Sequence, residues 1–254
     1  MNRWPAKLWI VRHGQSAGNV ARDAAHAAAI DRIPLNGRDV DVPLSPLGED
    51  QSRALGRWFA ALPANERPDV VLVSPYLRAQ DTARLIREQR GLADEDVPLC
   101  GDERLREKEF GVLDGLTTSG VSNVLPEQAE FRRILGKFYH RPPGGESWCD
   151  VILRLRSLLD TVSLHHADQR VLIVAHQVVV LCLRYIIETL DEEEILAIDR
   201  EGDVANCSLT EYHCDQGSGR SGRLALERYN YVVPVEDEDV PVTQAPDAPV
   251  AARA

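Results

Sequence analysis

The sequence contains no Cys-x-x-Cys pair, no internal repeat, no excess of basic residues and no unbroken apolar run of membrane-spanning length. Each absence removes a class of protein. The five cysteines (Cys100, Cys149, Cys182, Cys207, Cys214) are scattered and odd in number, which predicts reduced thiols and not a disulfide scaffold. Basic side chains number 29 against 40 acidic ones, a net charge of −11. That argues against nucleic acid or an anionic membrane surface as the main partner, although a local arginine cluster can still bind a small anion. The longest apolar stretch, Val171 to Leu190, is broken by His176, Gln177 and Arg184 and reads as a strand followed by a buried helix. The opening Met-Asn-Arg-Trp-Pro has no signal-peptide pattern, so a cytoplasmic location is expected.

What is present suits one large soluble domain. The 254 residues are 44% hydrophobic and 27% charged, enough to bury a core without disulfides or structural metal. Short β-branched runs predict strands at 7–12, 69–73, near 97–100 and at 170–175. Helical patterns lie between them: 17–31, 46 to about 62, 75 to about 90, one or two helices in 117–136, then 146–165 and 177–190. Ser45-Pro46 and Ser74-Pro75 each read as a serine N-cap followed by a first-turn proline. Residues 208–212 and 224–229 read as an antiparallel pair around a turn at 217–222. Strands alternating with helices imply an α/β sandwich with a mostly parallel sheet. The last segment, 232–254, has four prolines, five acids, one arginine and no aromatic residue, and is expected to be a disordered acidic tail on a body of residues 1–231.

Three strand ends carry basic chemistry. Arg12-His13-Gly14-Gln15-Ser16-x-x-Asn19 follows the first strand, Ser74-Pro75-x-x-Arg78 follows the second, and His176-Gln177 follows Ala175. Ligands of open α/β sheets bind beyond the carboxyl ends of the strands, so parallel pairing would gather these groups. Gly14 is expected to let backbone approach a ligand, and the next helix to offer unpaired N–H groups to an anion. An arginine beside a histidine suits a phosphate that the histidine attacks. A surface pairing of Arg78 with Asp81 or Asp102 is the competing reading. A carboxylate from Leu105-Arg106-Glu107-Lys108-Glu109-Phe110-Gly111 could protonate a leaving oxygen.

Together with Leu44-Ser45-x-x-Gly48, Ala79-x-x-Thr82-Ala83 and Pro143-Gly144-Gly145-Glu146-Ser147, these motifs resemble the histidine phosphatase superfamily, or phosphoglycerate-mutase-like family, over residues 7 to about 212. The resemblance implies a three-layer α/β/α sandwich with a mixed sheet. It implies His13 as nucleophile, Arg12, Arg78 and His176 around the phosphoryl group, and Glu107 as general acid, with Glu109 as the alternative. Asn19, Ser16, Gly14 and Gln177 would be further phosphate contacts. No metal and no cofactor are implied, since arginines carry the countercharge. Arg106 and Lys108 flank Glu107 and would tend to lower its pKa unless they point away or bind substrate.

Two features depart from the family pattern. Gln177 stands where glycine is usual, and Val20 to Pro43 is longer than in minimal members, as either a lid or a surface loop. Arg132 and Arg133, in the stretch before Gly144, lie either on a solvated helix face or against substrate. The expected activity is hydrolysis of a small phosphomonoester. A phosphoglycerate mutase is the first alternative and a non-catalytic phospho-ligand module the second. The oligomeric state is left open, a homodimer included.

Overall fold

The structure is a computed structural model that describes residues 3–35, 37–89, 97–215, 217 and 222–244. Four strands form the parallel part of one sheet: β1 (Lys7–Arg12), β2 (Val70–Val73), β3 (Leu99–Gly101) and β4 (Arg170–Ala175). Two more, β5 (Leu209–Asp215) and β6 (Arg223–Tyr231), pair antiparallel at one edge, giving the order β3-β2-β4-β1-β5-β6. β1, β2 and β4 are near-continuous apolar runs because both faces of the sheet are covered.

Alternation along the strands divides the core. Leu8 and Ile10 of β1 and Val171 and Ile173 of β4 pack with α6 (Trp148–His165) and α7 (Gln177–Ile187). Trp9, Val11, Val71 and Val174 face the other way, against α2 (Pro46–Ala61) and α3 (Leu77–Arg87). Each such buried aliphatic side chain contributes about 2 kcal/mol. The result is a helix–sheet–helix sandwich with a mixed, mostly parallel sheet, in agreement with the expectation. Of the remaining helices, α1 spans Ala17–Ala27, and the 117–136 region resolves into α4 (Thr118–Val124) and α5 (Pro126–Tyr139). No helix among the described residues is long and apolar enough to cross a membrane.

Three expectations need correction. Ser45 does cap α2, accepting from the Gly48 N–H at 3.1 Å, but Ser74 does not cap α3, whose N-cap is Tyr76. Helix α8 (Glu192–Glu201) was not anticipated, although Asp191 and Glu194 form a capping box at its start. The reading of 232–254 as a disordered tail fails for 232–244. There Val233–Glu236 forms α9, Val235 is fully buried in the α2/α3 core, and Glu238 pairs with Arg57 at 2.9 Å. Composition misled because one apolar side chain with a place in the core outweighs the neighbouring acids. Residues 245–254, Arg90 and most of the turn expected at 217–222 lie outside the described residues.

Helix α2 meets the turn after β1 backbone to backbone. A Cβ on Gly48 would lie 1.9 Å from the Gln15 carbonyl oxygen, and one on Gly14 would lie 2.4 Å from the Gly48 oxygen. Gly14 therefore allows the close approach of a helix. Gly48→Ala should cost about 3 kcal/mol or more in denaturant unfolding, because backbone must move. Gly101→Ala, whose Cβ would meet nothing within 4 Å, should stay within about 0.5 kcal/mol of the parent. Equal effects would contradict the packing argument.

Candidate active site

β1, β4 and β2 are neighbours, so Arg12, His13, His176 and Ser74 emerge side by side at their carboxyl ends. Arg12, His13, Arg78 and His176 are all buried. The His13 and His176 rings lie 5.1 Å apart between centroids. Of the competing readings, the gathering of strand ends holds, and Arg78 pairs with neither Asp81 nor Asp102.

The protonation pattern follows from the hydrogen bonds. His13 Nδ1 lies 2.7 Å from the Gly14 carbonyl oxygen, which can only accept, so the proton sits on Nδ1. Nε2 then keeps its lone pair and accepts from Arg78 Nε at 3.2 Å. Burial, reinforced by Arg78 and Arg12, holds the His13 imidazole well below its ordinary pKa, so it is neutral at pH 7. His176 is neutral for the same reasons. Ser74 Oγ accepts from the Tyr76 N–H and lies 2.7 Å from His176 Nε2. A hydroxyl both donates and accepts, so this contact is compatible with either neutral tautomer of His176, with the other ring nitrogen, Nδ1, as donor or acceptor accordingly. That Nδ1 is buried and has no partner among the described residues.

Arg12 is in a similar state. One of its terminal nitrogens donates to the Val204 carbonyl, while its buried Nε has no partner among the described residues. Burial draws this guanidinium down to about 10, with Asp203 opposing. The buried Arg12 Nε and His176 Nδ1 thus lie in the same cluster as the His13 Nε2 lone pair, on which Arg78 already donates.

The backbone N–H groups of the turn have partners, contrary to the expectation that the turn and helix start would cradle an anion. His13 N donates to the Ala175 carbonyl, Gly14 N to Thr82 Oγ1, Gln15 N to Gln51 Oε1 and Ser16 N to Asn19 Oδ1, all at 2.9–3.0 Å. Ser16 and Asn19 form the capping box of α1. Their polar groups close the turn on itself, so the N–H groups of residues 13–16 are already engaged. Gln177 is also engaged elsewhere, its Nε2 donating to Asp203 Oδ1 at 2.6 Å.

The long segment before Pro43 reaches into the site. A 3-10 turn at Asp39–Asp41 places the Asp39 carboxylate on Arg78, with Nη1 to Oδ1 and Nη2 to Oδ2 both at 3.0 Å. The Asp39 side chain remains 41% exposed. This planar, two-oxygen grip is the one a guanidinium offers to phosphate. Nothing in the sequence marked Asp39, since its partner is 39 residues away.

Glu107 is partly exposed and lies close enough to Arg12, Arg78 and Asp39 to interact with them electrostatically. Desolvation raises its pKa, and the Lys108 N–H at 2.8 Å, Arg78 and Arg12 pull the other way. Of the two alternatives for the flanking cations, they point away, and neither side-chain charge is among the leading influences on Glu107. Arg106 turns to Glu146 at 2.7 Å, and the Lys108 ammonium sits over the Phe110 ring. Glu109, the alternative acid, accepts from the Tyr76 hydroxyl at 3.0 Å. Arg133 is tied to Glu130 on the exposed face of α5.

Comparison with known proteins agrees with this geometry. A family model described as histidine phosphatase superfamily (branch 1) matches residues 8–226. A 2,3-bisphosphoglycerate-dependent phosphoglycerate mutase 2 from Gloeobacter violaceus is 32% identical over 201 residues, covering 77% of this chain and 82% of that protein. A solved mycobacterial glucosyl-3-phosphoglycerate phosphatase superposes with a TM-score of 0.66 at 26% identity, covering 89% of this chain and 99% of that one. A structure described as mycobacterial hydrolase 1 gives 0.67 at 26% identity, with coverage of 89% and 98%. Its relatives thus include both mutases and phosphatases, and the chain belongs to the histidine phosphatase superfamily.

Proposed function

We propose that this protein hydrolyses a small phosphomonoester through a phosphohistidine on His13 Nε2. The carrying observation is that this lone pair lies in one buried cluster with two groups that have no partner among the described residues, the Arg12 Nε donor and His176 Nδ1. An incoming phosphoryl group displaces the half-exposed Asp39 carboxylate and takes its two places on Arg78. Nε2 attacks phosphorus, the bond to the leaving oxygen breaks, and Glu107 gives that oxygen a proton. Glu107, now a carboxylate, takes a proton from water as the water attacks phosphorus and releases His13. Catalysis here is positioning plus charge stabilisation, as suits a loose transferring phosphoryl group.

A mutase is the second reading, favoured by the name of the Gloeobacter relative. Two features favour hydrolysis. Arg133, one of the two arginines of the segment before Gly144, is committed to Glu130. Glu107 keeps contact with solvent, from which the accepting water would come. Incubation with a phosphomonoester panel that includes 3-phosphoglycerate separates the two. Release of inorganic phosphate is expected; isomerisation to 2-phosphoglycerate with little free phosphate would reverse the assignment.

His13→Ala should abolish both turnover and the acid-labile phosphoenzyme in quenched reactions, and survival of either would end the His13 mechanism. With poor leaving groups, activity should fall as pH rises through the raised Glu107 pKa, because the acid form is lost. No acid-side limb from His13 is expected near its ordinary value, since His13 stays neutral well below it. Glu107→Gln should remove the alkaline limb and slow alkyl phosphates far more than aryl phosphates; equal losses would shift the role to Glu109. Asp39→Ala should tighten inhibition by inorganic phosphate roughly fivefold, about 1 kcal/mol for an anion pair with one partly exposed partner. An unchanged or weaker inhibition constant would show that Asp39 does not compete for Arg78.

A further inference from the structure

The C-terminal segment approaches the nucleophile from behind. Asn206 Nδ2 donates to the His13 carbonyl at 2.9 Å, and Gln51 Oε1 accepts from Gln15 N at 2.9 Å. These two buried amides hold the peptide groups on either side of Gly14. Both are tied to Thr243. Its hydroxyl accepts from Gln51 Nε2 at 3.0 Å and donates to Asn206 Oδ1 at 3.0 Å. The Thr243 carbonyl accepts from Asn206 N at 3.0 Å, and the Pro241 carbonyl from Gln51 Nε2 at 2.8 Å.

The directions of these bonds matter. A primary amide presents a donor and an acceptor of nearly the same shape, so packing alone does not decide which end faces a given group. Reversing Asn206 would set its oxygen against the His13 carbonyl. Reversing Gln51 would set its NH₂ against the Gln15 N–H. The Pro241 carbonyl, which can only accept, turns the Gln51 NH₂ toward the strap; the Thr243 hydroxyl accepts from that NH₂ and spends its own proton on Asn206 Oδ1, so the threonine carries this orientation from one amide to the other. The strap that brings it there is anchored separately, by Val235 in the core and Glu238 on Arg57.

We propose that Thr243 is a positioning residue for His13, acting through Asn206 and Gln51, and that residues 232–244 serve as the strap that delivers it. This rests on the assignment of His13 as the phosphoryl acceptor. Thr243→Val keeps the shape and removes both hydrogen bonds; Thr243→Ser keeps the hydroxyl. In rapid-quench measurements on the full chain, Thr243→Val should form phosphohistidine about tenfold more slowly, the scale of a modest misalignment of reacting atoms. KM should change little, because Arg12, Arg78 and His176 are untouched, and Thr243→Ser should restore the rate. Wild-type rates in Thr243→Val, or a serine variant as slow as the valine one, would overturn the proposal. Histidine-selective NMR of the resting protein reads the relay without turnover. Thr243→Val should shift the His13 ring signals and leave exposed His213 unchanged, and an unmoved His13 would also overturn it. Absence of phosphohistidine in the parent protein would instead count against His13 as acceptor, with the NMR result still deciding the relay.

Discussion

The site is organised around positive charge kept out of water beside a neutral imidazole. Arg12 and Arg78 are each more than nine-tenths buried, and burial, opposed by Asp203, brings the Arg12 guanidinium down to about 10. Such charges are tolerated only with compensating partners. Asp203 compensates part of Arg12, and Asp39 occupies Arg78. Burial, reinforced by that positive charge, keeps His13 and His176 unprotonated, so each ring keeps a lone pair on one nitrogen and a single proton on the other. An anion that entered this region would relieve the arginines and, on the proposed mechanism, meet His13 already neutral.

Keeping the turn from Arg12 to Ser16 rigid is the second requirement, and no local element could meet it. Its amides are satisfied by Ala175 of β4, Thr82 of α3, Gln51 of α2 and Asn19 of α1. Thr82 Oγ1 also donates to the Arg78 carbonyl at 2.8 Å, so one hydroxyl ties the nucleophile's turn to the helix of the phosphate-binding arginine. The spacing from Arg78 to Thr82 is one helical turn, which is what places that bond. Gly14 and Gly48 allow the close contact between the turn and α2. The motif residues that touch no ligand are thus the ones that hold the motif residues that would.

Much of this was legible in the sequence where the signal was local. The parallel strands were readable as apolar runs, and the gathering of Arg12, Arg78, His13 and His176 followed from strand ends lying together. What was missed depends on contacts between distant segments. Ser74 carried a cap signature, yet its hydroxyl orients His176, across 102 residues. Asp39 and Thr243 lie in stretches whose composition suggests only loop or tail. Arg106 and Lys108 were adjacent to Glu107 in sequence, but adjacency does not fix where a long side chain ends, and Arg106 ends on Glu146. Asn19, Ser16 and Gln177 marked the location, and each also has a partner in the scaffold that the sequence did not show.

The net charge of −11 finds a local use in this picture. A pocket with two desolvated arginines would bind any phosphate tightly, including the inorganic phosphate left after hydrolysis. An anion supplied by the chain itself lowers affinity for substrate and product alike, since both must displace it. It costs no catalytic power if the substrate gains compensating contacts through the rest of its structure, contacts that free phosphate cannot make. Asp39 is suited to that exchange because its carboxylate is partly exposed and can move into water, whereas Arg78 is buried and cannot follow. The exposed partner of the pair is the acid and the buried partner is the base, so displacement of the acid by a ligand would leave the Arg78 guanidinium in place.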